Sequence, residues 1–166
     1  SAKAQAMVVE TAARIRAARA QGRPVILAFG AHTIKNALGP TLIRLLEGQW
    51  VTHLATNGAG IIHDWEFAYL GASSENVREN IVRGEFGHWE ETGFYINLAL
   101  NIGAYEGRGY GESIGALIQN EGLDIPSAEQ LREEAVGALE REPAQAAAAV
   151  DLLALVQRFR LPPGRV

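Results

Sequence analysis

In the first half of the chain, apolar residues first recur at helical spacing and then occur in short continuous runs. The spacing of three to four residues predicts an amphipathic helix that ends near Gly22. Residues 24–29 and 50–56 have the pattern of strands, and the first run is apolar throughout, which predicts a strand covered on both faces. The apolar positions of the helix are Met7, Val8, Ala12, Ile15 and Ala18.

A helical segment separates the two predicted strands. Pro40 fits the first turn of this segment, and Gly48 ends it. The short connection between the strands favours a right-handed parallel βαβ unit, in the order helix, strand, helix, strand. The positions expected to be buried in the segment are Leu42, Ile43, Leu45 and Leu46.

The second half of the chain is predicted to be rich in helices, with no confident strand beyond residue 61. Ser73 or Ser74 is expected to cap a helix that runs to Gly84, and Ser127 opens a capping box. Residues 90–104 are read as a helix, with a weaker strand alternative. The other expected helices are 63–70, 113–119 and one that begins at Pro143.

Two strands are too few for an open α/β sheet, which usually has about five. Residues 161–166 have a pattern typical of residues that lead into another strand. We therefore expect residues 1–166 to form a single α/β domain that is the front part of a longer protein, or a domain whose sheet is completed in an oligomer.

Composition narrows the function classes. A net charge of −4 opposes nucleic acid as the main partner, and the absence of an apolar run of about 20 residues opposes a membrane span. The chain has no cysteine, which excludes thiol catalysis and cysteine-ligated zinc and suits a cytoplasmic location. Only Lys3 and Lys35 could form a Schiff base.

Glycine-containing turns follow both predicted strands. Residues 57–60 read Asn-Gly-Ala-Gly, and residues 30–32 read Gly-Ala-His. Glycine permits a sharp turn with free N–H groups, which suits a phosphate where a helix begins. Because parallel strands end at the same sheet edge, the two turns are expected to build one crevice for a ligand.

Each of these features also has a purely structural interpretation. Position 63 is histidine, so the turn is Gly-x-Gly without the rest of the dinucleotide motif, and such tight turns are common. His63 and Asp64 are expected at the start of the next helix. In the structural interpretation, Asp64 caps the helix and His63 lies on its surface. In the functional interpretation, His63 carries a proton and a neighbouring carboxylate, Asp64, orients it. Lys35 either contacts a phosphate or is a solvent-exposed lysine on a helix surface.

A metal site is a further alternative. His32 and His63 with a carboxylate could serve a metal-assisted hydrolase, although no metal-ligand spacing is present. His53, inside a strand, is interpreted as a core histidine with satisfied hydrogen bonds. His88 with Glu90 and Glu91 could bind a cation, but a role at a helix start explains the two glutamates better.

Residues 56–64 read Thr-Asn-Gly-Ala-Gly-Ile-Ile-His-Asp, with Tyr-Leu-Gly at 69–71. This run resembles the cofactor-side segment of deoxyhypusine synthase, and residues 30–36 resemble that family's first nucleotide loop. The resemblance covers residues 24–100 and is closer to bacterial deoxyhypusine-synthase-like proteins of unassigned function than to the enzyme itself.

The resemblance implies an α/β, Rossmann-like parallel sheet with flanking helices that binds NAD and assembles as a homo-oligomer, a dimer or a tetramer. The family's acidic pair falls here on Ile62 and His63, and its segment with the catalytic lysine is absent. Aminobutyl transfer is therefore not expected. The expected catalytic residues are His63 and Asp64, and the expected cofactor-binding residues are Gly30, Ala31, His32, Lys35, Asn57, Gly58, Ala59 and Gly60.

The resulting hypothesis is a dinucleotide-binding domain that supports NAD-dependent oxidation of, or transfer on, a small amine or polar metabolite. The alternatives are a non-catalytic binding or assembly module and, less favoured, the metal-assisted hydrolase.

Overall fold

A computed structural model describes residues 1–85 and 89–166 of the chain. Packing divides these residues into two compact units, Ser1–Asp64 and Trp65–Val166. Within the described ranges, no helix is both long enough and apolar enough to cross a membrane.

The first unit contains a parallel pair of short strands. Its elements are α1 (Ala2–Ala20), β1 (Ile26–Ala28), α2 (His32–Lys35), α3 (Gly39–Glu47), β2 (His53–Ala55) and the start of α4 (Gly58–Leu70). Ile26 lies opposite His53, and Ala28 lies opposite Ala55. The predicted order of helices and strands and their parallel pairing are confirmed.

The prediction that the first strand is covered on both faces is wrong. Ile26 is 65% exposed and Leu54 of β2 is 38% exposed. The cause is the small buried area that the helices of this unit provide, since α1 buries no residue fully and α3 buries only Leu42. The predicted apolar stripe of α1 is half-buried at Ala12, Ile15 and Ala18 and exposed elsewhere.

The second unit is a helical bundle with a small antiparallel strand pair. After α4 come α5 (Val77–Val82), α6 (Glu90–Tyr105), α7 (Tyr110–Asn120), β3 (Asp124–Ile125), α8 (Ala128–Ala138), α9 (Pro143–Phe159) and β4 (Gly164–Arg165). Helix α8 packs against α9, and α6 packs against both α7 and α9. Residues 146–149 of α9 are all alanine, and the burial of Ala146 and Ala149 indicates that this run allows close helix packing.

The helix predictions for this unit succeed where local hydrogen bonds define the ends. Ser127 Oγ accepts from the Gln130 N–H at 3.1 Å, and Gln130 Oε1 accepts from the Ser127 N–H at 2.8 Å, so the capping box is confirmed. Residues 90–104 are helical, and the strand alternative is wrong. Asn76, rather than a serine, caps α5.

The pairing of β3 with β4 was not predicted. Asp124 lies opposite Arg165, and Ile125 lies opposite Gly164. Each strand is two residues long, which is too short for an alternating pattern to appear in the sequence. The described chain is thus a helix-rich α/β protein with one small parallel sheet and flanking helices.

Candidate functional site

The carboxyl ends of β1 and β2 meet at one edge of the parallel pair. The Phe29 N–H donates to the Ala55 carbonyl at 2.9 Å, which continues the pairing to the last residue of β2. A shallow depression of about 480 Å³ lies at this edge. The structure therefore brings Gly30 and Asn57 to the same place, as the parallel connection requires. The depression is lined by Ala28, Phe29, Gly30, Ala55, Thr56 and Asn57.

Residues 57–60 are a helix start rather than a separate turn. Helix α4 begins at Gly58, and Asn57 Oδ1 accepts from the Gly60 N–H at 3.2 Å, as an N-cap side chain does. The N–H groups of Gly58 and Ala59 have no acceptor within residues 1–85 and 89–166. They are exposed at the positive end of the helix dipole, beside the depression.

Gly60 has a packing role. A Cβ at this position would lie 2.6 Å from Thr56 Oγ1, closer than real Cβ contacts allow. Gly60 is buried, and its N–H is already used by the Asn57 cap. The second glycine of the motif therefore lets the strand end pack onto the first turn of α4.

His32 and Lys35 lie outside the depression. Both are exposed on α2, a single turn whose buried residue is Ile34. Ala31 precedes that turn and is half-buried. Two residues of the predicted cofactor set, Gly30 and Asn57, line the depression, and Gly58 begins the helix beside it.

His63 and Asp64 lie within α4 and not at its entrance, so the prediction that Asp64 caps the helix is wrong. They follow the first helical residue by five and six positions, which is about 7.5–9 Å along the axis. The glycine pattern predicts a turn at residues 58–60 and a helix from residue 63, which is later than the observed start of α4 at Gly58. Partial burial raises the pKa of the Asp64 carboxyl, although more than a third of the residue's surface is exposed.

The raised pKa of Asp64 predicts a pH-dependent effect of Asp64→Asn. The pKa of Asp64 is higher in the folded state than in the unfolded state. The wild-type protein therefore loses stability as the pH rises from the unfolded-state pKa through the folded-state pKa. Asparagine is neutral throughout, so the variant should gain melting temperature relative to wild type as the pH rises above about 4. Thermal unfolding at several pH values measures this. Asp151→Asn, on the exposed part of α9, controls for the loss of one charge, and parallel pH profiles for wild type and D64N would contradict the prediction.

The remaining candidates for a metal or cation site do not converge. His53 is exposed in β2, with Nδ1 2.8 Å from Thr52 Oγ1, so its interpretation as a core histidine is wrong. Its strand lacks the cover that a core position needs. His88 lies outside the described residues, and Glu90 and Glu91 form the first turn of α6, as the helix-start interpretation predicts. In the described chain, no group of three histidines or carboxylates could hold a metal ion.

A buried carboxylate that the sequence did not reveal lies further along α4. Glu66 is 2% exposed and accepts from Ser73 Oγ at 2.9 Å, the Ser74 N–H at 3.1 Å and Thr92 Oγ1 at 3.3 Å. These bonds join α4, the segment after it and α6. The only sequence signal is the neighbouring Trp65, which indicates that this side of the helix faces a core.

Charge is distributed unevenly along the chain. Ser1–Asp64 contains seven Lys or Arg and three Asp or Glu residues, a net charge of +4, and the remaining residues carry −8. The depression thus belongs to the basic unit, which favours an anionic ligand there.

Comparisons with protein-family models, with curated proteins and with solved structures found no match. The resemblance to deoxyhypusine synthase therefore rests on the residues quoted from the sequence.

Proposed function

We propose that the chain is a dinucleotide-binding domain of the deoxyhypusine-synthase-like type, with NAD as its cofactor. The observation that carries the proposal is the meeting of two parallel strand ends and the start of α4 at one edge. In open α/β sheets, ligands bind outside the carboxyl ends of the strands, and phosphates bind where a helix begins. A Rossmann-like sheet larger than the described pair, and its completion in an oligomer, are part of this proposal.

The residue roles follow from position. Gly58 and Ala59 would donate their N–H groups to the phosphates, and Gly30 and Asn57 would form the floor beneath them. Asn57 uses its side chain to cap α4, so its contribution is to fix the helix start. The positive charge of Ser1–Asp64 would add a long-range attraction for the anionic cofactor.

The catalytic part of the proposal is NAD-dependent oxidation of, or transfer on, a small amine or polar metabolite in the cytoplasm. His63 would carry the proton, and Asp64 would orient it. Both residues lie on the helix that begins at the proposed phosphate site, less than two turns from its start. When bound, NAD would accept a hydride.

Gly58→Val is expected to weaken NAD binding at least about tenfold, because a branched side chain at the first residue of α4 would occupy the space that a phosphate approaches. Calorimetry with NAD, NADP and adenosine diphosphate measures the effect. Gly39→Val is the matched control, since Gly39 is the first residue of α3 and has open space where a Cβ would stand. Equal NAD affinity in both variants, or no NAD binding by the wild-type protein, would overturn the proposal.

An assembly module is the second candidate, favoured by the exposed apolar side chains of the sheet. An isolated two-stranded sheet is marginal in water, and Ile26 presents a large apolar side chain to solvent. A second copy of the chain would cover it. Sedimentation velocity should then show a dimer or tetramer that Ile26→Lys dissociates, and a monomeric wild-type protein would exclude this role.

A further inference from the structure

An aromatic cluster occupies one side of the second unit. The rings of Trp65 and Tyr69 on α4 are stacked, with centroids 4.7 Å apart and planes 15° apart. The Tyr95 ring on α6 lies 6.0 Å from Trp65 and 5.9 Å from Tyr69. Trp65 is buried, whereas Tyr69 is 52% exposed. The cluster therefore has a buried base and an accessible tyrosine surface.

That surface faces a cleft of about 350 Å³, which lies in the size range of small-molecule pockets. Leu117 and Ile118 of α7 line it together with the aromatic cluster, and Glu121 follows at the end of α7. Among the described residues that line the cleft, Glu121 carries the only charged side chain. The cleft thus combines aromatic and aliphatic walls with the carboxylate of Glu121.

The walls of the cleft are held in place before any ligand arrives. Thr92 donates to Glu66 at 3.3 Å, and this buried bond joins α4 to α6. Glu66 lies three residues before Tyr69, and Thr92 lies three residues before Tyr95, so the bond is about one helical turn from the tyrosine pair. Such fixed walls reduce the entropy lost on binding.

The electrostatics of the cleft favour a cation. Trp65–Val166 carries a net charge of −8, and aromatic ring faces attract positive charge. Arg165 keeps its positive charge while it donates to the backbone carbonyl of Asn120, but it is not among the residues that line the cleft. An anionic ligand would meet the carboxylate of Glu121 without a lysine or arginine among the described lining residues.

We propose that this cleft binds an organic cation that also carries an aromatic ring. The ring would stack on Tyr69 and Tyr95 against the aliphatic wall, and the charge would lie near Glu121. The described residues that line the cleft all belong to the second unit, so this site can be tested without a nucleotide present.

The test uses three probes on the full chain, measured by calorimetry. Benzyltrimethylammonium has both the ring and the charge, benzyl alcohol has the ring alone, and tetramethylammonium has the charge alone. We expect the first to bind about tenfold more tightly than either of the others. Equal affinities for benzyltrimethylammonium and benzyl alcohol, or binding of neither, would overturn the proposal.

Two variants locate the site. Glu121→Gln should weaken benzyltrimethylammonium about fivefold to tenfold and leave benzyl alcohol unchanged, because it removes only the charge. Tyr69→Leu should weaken both ring-containing probes. Glu112→Gln, an exposed position in the first turn of α7, is the control and should change nothing. An E121Q variant that binds all three probes as wild type does would contradict the assignment, and circular dichroism verifies the fold of each variant.

Discussion

Replacing Gly103 with alanine should lower the free energy of unfolding by about 2–3 kcal/mol, at the upper end of the usual effect of overpacking. Gly103 is buried on α6 where α7 crosses it. A Cβ at Gly103 would overlap Ser113 Oγ and would lie 2.6 Å from Ser113 Cβ. Ser113 is itself buried, and its hydroxyl donates to the Gly109 carbonyl at 2.8 Å. The two helices must therefore separate, and the melting temperature should fall by about 4–12 °C.

Gly115→Ala is the matched control, with an effect of opposite sign. Gly115 is exposed on α7 and has open space where a Cβ would stand. Alanine there should stabilise the helix by up to about 1 kcal/mol. Adding Ser113→Gly to the Gly103→Ala variant should recover part of the loss, since it removes the atoms that clash. A G103A variant as stable as wild type would show that α6 and α7 do not approach this closely.

Glu66→Ala should cost about 2–4 kcal/mol of unfolding free energy, because it removes the acceptor that three hydrogen-bond donors share. Thr92 is fully buried, so its hydroxyl loses the acceptor that Glu66 provides. The Ser73 hydroxyl and the Ser74 N–H lose the same acceptor. A fully buried donor such as the Thr92 hydroxyl costs about 1–3 kcal/mol when it loses its acceptor, which the entry of water reduces.

The graded variants at this network make the test specific. Thr92→Val removes one donor to Glu66 and keeps those of Ser73 and Ser74, so it should cost less, about 1–2 kcal/mol. Glu66→Gln keeps one acceptor oxygen, so its loss of unfolding free energy should lie between those of Thr92→Val and Glu66→Ala. Urea denaturation gives all three values, and Glu133→Ala on the exposed side of α8 controls for the loss of a carboxylate. If Glu66→Ala cost no more than Thr92→Val, the network would not stabilise the fold in this way.

The parts of the fold that were predictable from sequence are those with local causes. The capping box at Ser127 and the proline start of α9 are set by residues a few positions apart, and both helices begin where expected. The parallel pairing of β1 and β2 followed from the short helical connection. Gly30 and Asn57 could be placed at one edge for the same reason.

The rest depended on contacts between distant positions. The burial of Glu66 is compensated by a donor on Thr92, 26 residues away, and no local pattern in the sequence indicates that pairing. Glycine suits both a turn and a helix start, so the sequence could not decide where α4 begins, and His63 and Asp64 were placed incorrectly as a result. The exposure of Ile26 reflects how little the neighbouring helices bury, which composition does not show.

The absence of any fully buried residue in α1 affects the cooperativity of unfolding. A helix of 19 residues held by half-buried contacts can unwind at a free-energy cost below that of global unfolding. Its backbone amides should then exchange hydrogen through local opening, ahead of those in α8 and α9. On heating, part of the helical circular dichroism signal would fade gradually before the main transition, so the slope of the pre-transition baseline would include the unwinding of α1.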